Sequence, residues 1–259
     1  MVALLFVALA GWMVGIIVNY LADFLPRYRR FTYPRCLVCE TKIPYFRFFI
    51  WNRRCPACQH ARSWRTWLVE IISIISALWL WINPPASIGF WVGLILLAYF
   101  ILVAIIDIEH RLILHPISAF GGILGFGLGT WLHGLPRTVL GGLAGFGVML
   151  FFYVMGLLLI RVLNRWRGLS FGDEDGEALG FGDVILGGVL GLILGWPGVA
   201  ASIFLTILLA GLASLLYMIL MVILRRYHSN QTLPYGPFLV LGAVVLIYFH
   251  EFVVNLLNI

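Results

Sequence analysis

Charge is what this 259-residue chain has least of: 11% of its residues are Asp, Glu, Lys or Arg, against 62% hydrophobic, and its mean hydropathy is +1.02. A soluble core has no room for so much apolar surface, so the bilayer is the solvent. Lysine occurs once, as Lys42 in the loop that also carries every cysteine. That excludes a Ser–Lys dyad at membrane depth. His-Glu-x-x-His is absent, which removes the support for an intramembrane zinc protease. No glycine-rich nucleotide loop is visible, and no nucleic-acid partner is expected. The first apolar run lacks a basic start and reaches Asn19 and Asp23 without a small-residue cleavage site, so it is read as an anchor rather than a removed signal.

What is present is a series of long apolar runs. A helix needs about 20 residues to cross the hydrocarbon, and such runs lie at roughly 3–25, 66–83, 88–107, 112–133, 138–160, 182–195, 198–224 and 235–256. The stretch from Val184 to Leu224 is too long for one crossing, and Gly195-Trp196-Pro197-Gly198 breaks it. The expected fold is therefore an all-α polytopic membrane protein of about eight transmembrane helices. Glycines four apart, at Gly11 and Gly15, Gly121 and Gly125, Gly141 and Gly145, and Gly187, Gly191 and Gly195, fit close helix packing.

Basic residues are retained on the cytoplasmic side. Ten of the seventeen lie between Arg27 and Arg65, so that loop is expected in the cytoplasm. Eight spans then place Arg111, Arg161, Arg165, Arg167, Arg225 and Arg226 on the same side, and only Arg137 outside. Both termini are expected outside. The division read from this pattern is a first transmembrane helix (1–25), a cytoplasmic module (26–65) and a seven-helix bundle (66–259).

All four cysteines fall in that module, as Cys36-Leu37-Val38-Cys39 and Cys55-Pro56-Ala57-Cys58. Two Cys-x-x-Cys pairs at this separation are the pattern of a four-thiolate zinc site. Two disulfides are the alternative, disfavoured where thiols stay reduced. Four thiolates close the tetrahedron, so the zinc is expected to be structural, stapling a module with short strands that is too small to fold without metal.

Ionisable groups at membrane depth are costly and point to function. The acidic ones are Asp23, Glu70, Asp107 and Asp183. Asp107 ends the third span and Asp183 opens the sixth, so the topology puts both near the cytoplasmic face. Two carboxylates that share a proton can activate water for peptide hydrolysis, and the glycines at Gly180 and Gly182 let backbone approach closely. The alternatives are that Asp107 pairs with His110 or Arg111 and that Asp183 caps its helix. Gly168-Leu169-Ser170-Phe171-Gly172 spells a serine-hydrolase motif but lies in a polar loop rather than at a strand-to-helix elbow.

These residues resemble the bacterial type IV prepilin peptidases, which are GxGD-type aspartic membrane proteases. Gly15, Asn19 and Leu25-Pro26 look like the end of that family's first helix, and the cysteine pairs like its cytoplasmic zinc loop. Arg65 and Val69-Glu70 resemble the start of its second helix. Asp107-Ile108-Glu109-His110-Arg111-Leu112-Ile113 and Gly180-Phe181-Gly182-Asp183 are similar to its two aspartate motifs. Pro234-Tyr235-Gly236-Pro237-Phe238 is similar to the motif opening its last helix.

The resemblance implies that Asp107 and Asp183 are a catalytic dyad, with Gly180, Gly182, Glu70, Gly236 and Pro237 as motif or substrate-binding positions. Cys36, Cys39, Cys55 and Cys58 are its metal ligands. It implies an enzyme of the bacterial cytoplasmic membrane that cuts prepilin or pseudopilin leaders after a glycine on the cytoplasmic face. The new amino terminus would then be methylated from S-adenosylmethionine. The chain departs from the family pattern at Leu114-His115, where Pro and an acidic or amide residue are usual, at Ile185 in place of Lys, and at Phe24 in place of Arg. A reading of a different class is a non-enzymatic transporter or cation-binding protein with a structural zinc loop. Glu70 is expected to face the dyad or a substrate amine, or else to pair with Arg65. Asn19 is expected to make a helix–helix hydrogen bond, Asp23 to be interfacial, and Asp173, Glu174, Asp175 and Glu177 to form a solvated loop.

Overall fold

A computed structural model describes residues 2–49, 54–167, 180–224 and 234–249. The serine-motif lookalike at 168–172 and the acidic stretch from Asp173 to Glu177 lie outside them, as do Arg225 and Arg226. Nine helices occur among the described residues: α1 (Val2–Tyr28), α2 (Tyr45–Phe49), α3 (Arg65–Ile82), α4 (Gly89–His110), α5 (His115–His133), α6 (Leu135–Arg167), α7 (Phe181–Leu194), α8 (Gly198–Ile223) and α9 (Gly236–Tyr248). Apart from the short α2, each grows from one of the eight apolar runs. Five are long and apolar enough to cross a membrane: α1, α3, α4, the stretch Leu135–Val162 of α6, and α8. α5 has 19 residues but is diluted by five glycines and a histidine at each end, and α7 and α9 are shorter apolar helices.

The chain divides into two compact units, Met1–Ile106 and Asp107–Ile259. In the first, α1 packs along α3 because Gly11 and Gly15 let the backbones meet. A Cβ at Gly11 would stand 2.8 Å from the Ser73 carbonyl oxygen, and one at Gly15 2.8 Å from the Glu70 Cα. Asn19, buried farther along α1, donates its side-chain amide to the Thr66 carbonyl at 3.0 Å, the helix–helix bond its place in an apolar span demands.

In the second unit α7 packs against α5, α6, α8 and α9. Its small residues decide this. A Cβ at Gly145 of α6 would lie 2.2 Å from the Gly187 carbonyl oxygen of α7, and one at Gly141 2.4 Å from that of Gly191. Backbone therefore lies on backbone, which gives close dispersion contact without side-chain entropy loss. Eight of the fourteen residues of α7 are buried. The chain turns out of α7 at Gly195, whose φ of +64° favours glycine, and into α8 after Pro197.

The short strands expected in the cysteine module do not form among the described residues. In their place stand two isolated β-bridges, Arg35↔Lys42 and Arg54↔Ala61. Each cysteine pair reverses the chain so tightly that only one residue pair on either side comes into register.

Candidate active site and metal centre

The two cysteine turns are copies of one another. Cys36 and Cys55 donate their backbone N–H to Thr41 and His60, at 3.0 and 2.9 Å, and accept from Glu40 and Gln59, at 3.1 and 3.0 Å. Glu40 and Gln59 both take φ of +56°. Arg35 through Lys42 and Arg54 through Ala61 are thus two equivalent knuckles, each offering its thiols on one side. Facing each other, they bring Cys36 Sγ to 3.6 Å from Cys58 Sγ and Cys39 Sγ to 3.4 Å from Cys55 Sγ. All four ligand atoms lie within 4.8 Å of one another, and no disulfide joins them.

That geometry fits a metal ion. Four sulfurs about 2.3 Å from a tetrahedral zinc stand about 3.8 Å apart. The electrostatics fit as well. Cys39, hydrogen-bonded by the Thr41 hydroxyl and amide, is lowered to about 6. Cys58 goes the other way, up to about 12: the His60 amide favours its thiolate, but desolvation and the neighbouring thiols outweigh it. Four thiolates crowded together repel one another, and a bound dication removes that penalty.

A buried ion-pair cluster ties this module to the helices. Asp23, in the last turns of α1, accepts from Arg62 Nη2 at 2.9 Å through Oδ2 and from Arg65 Nη2 through Oδ1. Arg62 also lies over the Phe48 ring, 4.1 Å from its centroid, and donates to the Phe48 carbonyl. Phe48 and Phe49 of α2 pack in turn on Tyr20, and Phe48 on Phe24, both of α1. Asp23 is therefore the joint of three segments. Its only sequence signal was an acidic residue at the edge of a span, with arginines at the far end of the loop. Glu70, also buried, accepts from the Trp12 indole at 3.1 Å.

Asp107 and Asp183 both lie in the second unit, 6% and 7% exposed, within Coulombic reach of each other. Asp107 sits near the C-terminal end of α4. Four residues later Arg111, at φ +51°, turns the chain away, leaving the carboxylate at the helix end. Asp183 is the third residue of α7, after the N-cap Gly180. Gly182 permits the approach of the two motifs, since a Cβ there would stand 2.8 Å from the Ile113 Cβ. The first aspartate motif thus packs on the second through Ile113 and Gly182.

Each carboxylate lies against the backbone of a glycine. Gly236, opening α9, donates its N–H to Asp107 Oδ2 at 3.1 Å, and a Cβ at Gly236 would stand 2.6 Å from that oxygen. The Asp183 carboxylate reaches back toward its N-cap, with Oδ2 3.7 Å from where a Cβ at Gly180 would stand. Asp183 Oδ1 is buried and has no hydrogen-bond partner among the described residues. Two buried carboxylates, close enough to interact and one of them oriented by an amide, can share one proton and hold a water between them. Sequence reasoning included Gly236 among the motif positions but missed its bond to Asp107, and it missed Ile113 as the contact of Gly182.

A model of the type IV leader peptidase family matches residues 94–219, the stretch that contains both aspartates. The type 4 prepilin-like proteins leader peptide-processing enzyme of Escherichia coli O78:H11 is 32% identical over 214 residues, covering 80% of this chain and 69% of that protein. The prepilin leader peptidase/N-methyltransferase of Pectobacterium carotovorum is 28% identical over 82% of this chain and 71% of its own. That of Aeromonas salmonicida is 26% identical over 81% and 68%. No solved structure matches the chain. Likeness of this extent, running through both aspartate motifs, places the chain by descent: it belongs to the type IV leader peptidase family.

Proposed function

We propose that this protein is a membrane aspartic endopeptidase that removes the leader of type IV prepilins or pseudopilins, with Asp107 and Asp183 as its working pair. The observation that carries the reading is the geometry of that pair: two buried carboxylates in Coulombic reach, Asp107 held by the Gly236 amide and Asp183 seated against Gly180 of its own motif. The ionised member takes a proton from water as the water oxygen attacks the peptide carbonyl carbon. The protonated member gives its proton to the carbonyl oxygen. The carbon–nitrogen bond then breaks, the nitrogen takes the proton first removed from water, and the other proton returns to the dyad. Gly180, Gly182, Gly236 and Pro237 supply the side-chain-poor backbone against which an extended leader lies.

The chain is read as an anchor (1–25), a metal module (26–65) and a bundle (66–259) in the bacterial cytoplasmic membrane. Both termini lie outside, and the dyad faces the cytoplasm, where the positive-inside pattern puts Arg111. Zinc on Cys36, Cys39, Cys55 and Cys58 is structural, because four thiolates leave no coordination position for substrate. The relatives named leader peptidase/N-methyltransferase support a second step, in which the new amino terminus takes the methyl group of S-adenosylmethionine. No donor set fitted to that molecule stands among the described residues, and no residue is assigned to the step.

The test is mass spectrometry of a prepilin co-expressed with the enzyme. Wild type should release the leader and add the mass of one methyl group to the mature chain. Asp107→Asn and Asp183→Asn should each abolish release, and leader removal at the wild-type rate in either would refute the dyad.

A further inference from the structure

The N-terminal corner of α9 addresses both aspartates. Gly236 holds Asp107 through its backbone, and the residue before it, Tyr235, is the N-cap of the same helix and lies within Coulombic reach of Asp183. Tyr235 is half-buried, and its hydroxyl has no hydrogen-bond partner among the described residues. Asp183 Oδ1 is buried and also without a partner among the described residues. Buried polar atoms are nearly always satisfied. Two uncommitted polar groups from different helices, one fully buried and one half-open, therefore mark a place where a third polar group is received.

We infer that Tyr235 is a third catalytic group, whose phenolic O–H donates to the carbonyl oxygen of the scissile peptide beside the dyad. The inference rests on the reading of Asp107 and Asp183 as the water-activating pair. A phenol remains protonated through the working range of a carboxylate dyad, so it serves as a donor and leaves the proton count of hydrolysis unchanged. Its placement on the N-cap fits that task. The Gly236 amide fixes α9 to Asp107, and so fixes the distance from the phenol to the dyad. As water adds, the carbonyl oxygen gathers charge, and a donor aimed at it from a partly dry site stabilises the transition state more than the bound substrate. Asp183 delivers or receives its proton on one side of that oxygen and Tyr235 donates on the other.

Tyr235→Phe removes one oxygen and keeps the ring, so the packing of α9 is preserved. With purified enzyme and a prepilin substrate, kcat should fall about 100-fold, the usual cost of deleting one donor to a developing oxyanion, while KM stays within about threefold. The thermal midpoint of the variant in detergent should match wild type. Affinity for uncleaved prepilin, measured in the Asp183→Asn background, should be the same with Tyr or Phe at this position. A kcat within twofold of wild type overturns the inference. So does an unchanged kcat with raised KM and weakened prepilin affinity, which would make Tyr235 a ground-state binding residue. Failure of the underlying reading looks different, because the wild-type enzyme would then leave the leader uncut.

Discussion

Gly236 donates its backbone N–H to Asp107 Oδ2 across 129 residues of sequence, at 3.1 Å, and does so from a site where any side chain would collide with the carboxylate. Alanine at Gly236 would put a Cβ 2.6 Å from that oxygen and 2.9 Å from its carbon. The carboxylate must then shift, and misplacing a reacting group by about 1 Å costs on the order of 100-fold in rate. Gly236→Ala is expected to lose about that much leader-removal activity while keeping its thermal midpoint. Gly127→Ala, on a helix position with nothing within 4 Å, is the control and should cleave like wild type. Initial rates on one prepilin decide between these outcomes.

Asp23 pairs with both Arg62 and Arg65, and all three side chains are less than a fifth exposed. Replacing the carboxylate leaves two guanidiniums without its charge, so Asp23→Ala is expected to destabilise the first unit by about 2–4 kcal/mol. A double-mutant cycle of Asp23→Ala with Arg62→Ala should show a coupling of about 1 kcal/mol or more. Chemical unfolding in detergent, followed by intrinsic tryptophan fluorescence, measures both. Additive losses would mean that the pair does not act as a joint.

The knuckle geometry leads to a stoichiometry. Purified protein should carry about one zinc per chain, and Cys36→Ser with Cys55→Ser, which removes one thiol from each knuckle, should lose it. Acidification should release the metal, since protons compete for the thiolates, and chelation should open residues 26–65 to protease. Metal analysis by mass spectrometry, paired with limited proteolysis, reads both effects. Zinc retained by the double serine variant would exclude the four-thiolate site.

How much was legible along the chain depended on how local the physics was. A membrane crossing is a demand on about 20 consecutive residues, so the runs that became α1 and α3 through α9 could be read one after another. A Cys-x-x-Cys knuckle occupies eight residues, and its metal-ligating character shows in the spacing. Even so, the short strands expected around it proved to be single bridges, because the left-handed turns at Glu40 and Gln59 leave no length for a ladder. Asp107 and Asp183 stood out because charge at membrane depth is rare. Asn19 was read as a helix–helix bond for the same reason, and it makes one to Thr66.

By itself, then, the sequence determined that the chain is helical and membrane-embedded, that its cysteines form one cluster, and which carboxylates are unusual. Each of these follows from hydropathy, spacing or charge within a short window. Only the tertiary structure decided what those groups touch. The pairing of Asp23 with Arg62 and Arg65, the seating of Ile113 on Gly182, and the hold of Gly236 on Asp107 all join distant segments. They rest on glycines letting backbones approach, and the closeness of that approach is a property of packed helices in three dimensions rather than of any local pattern.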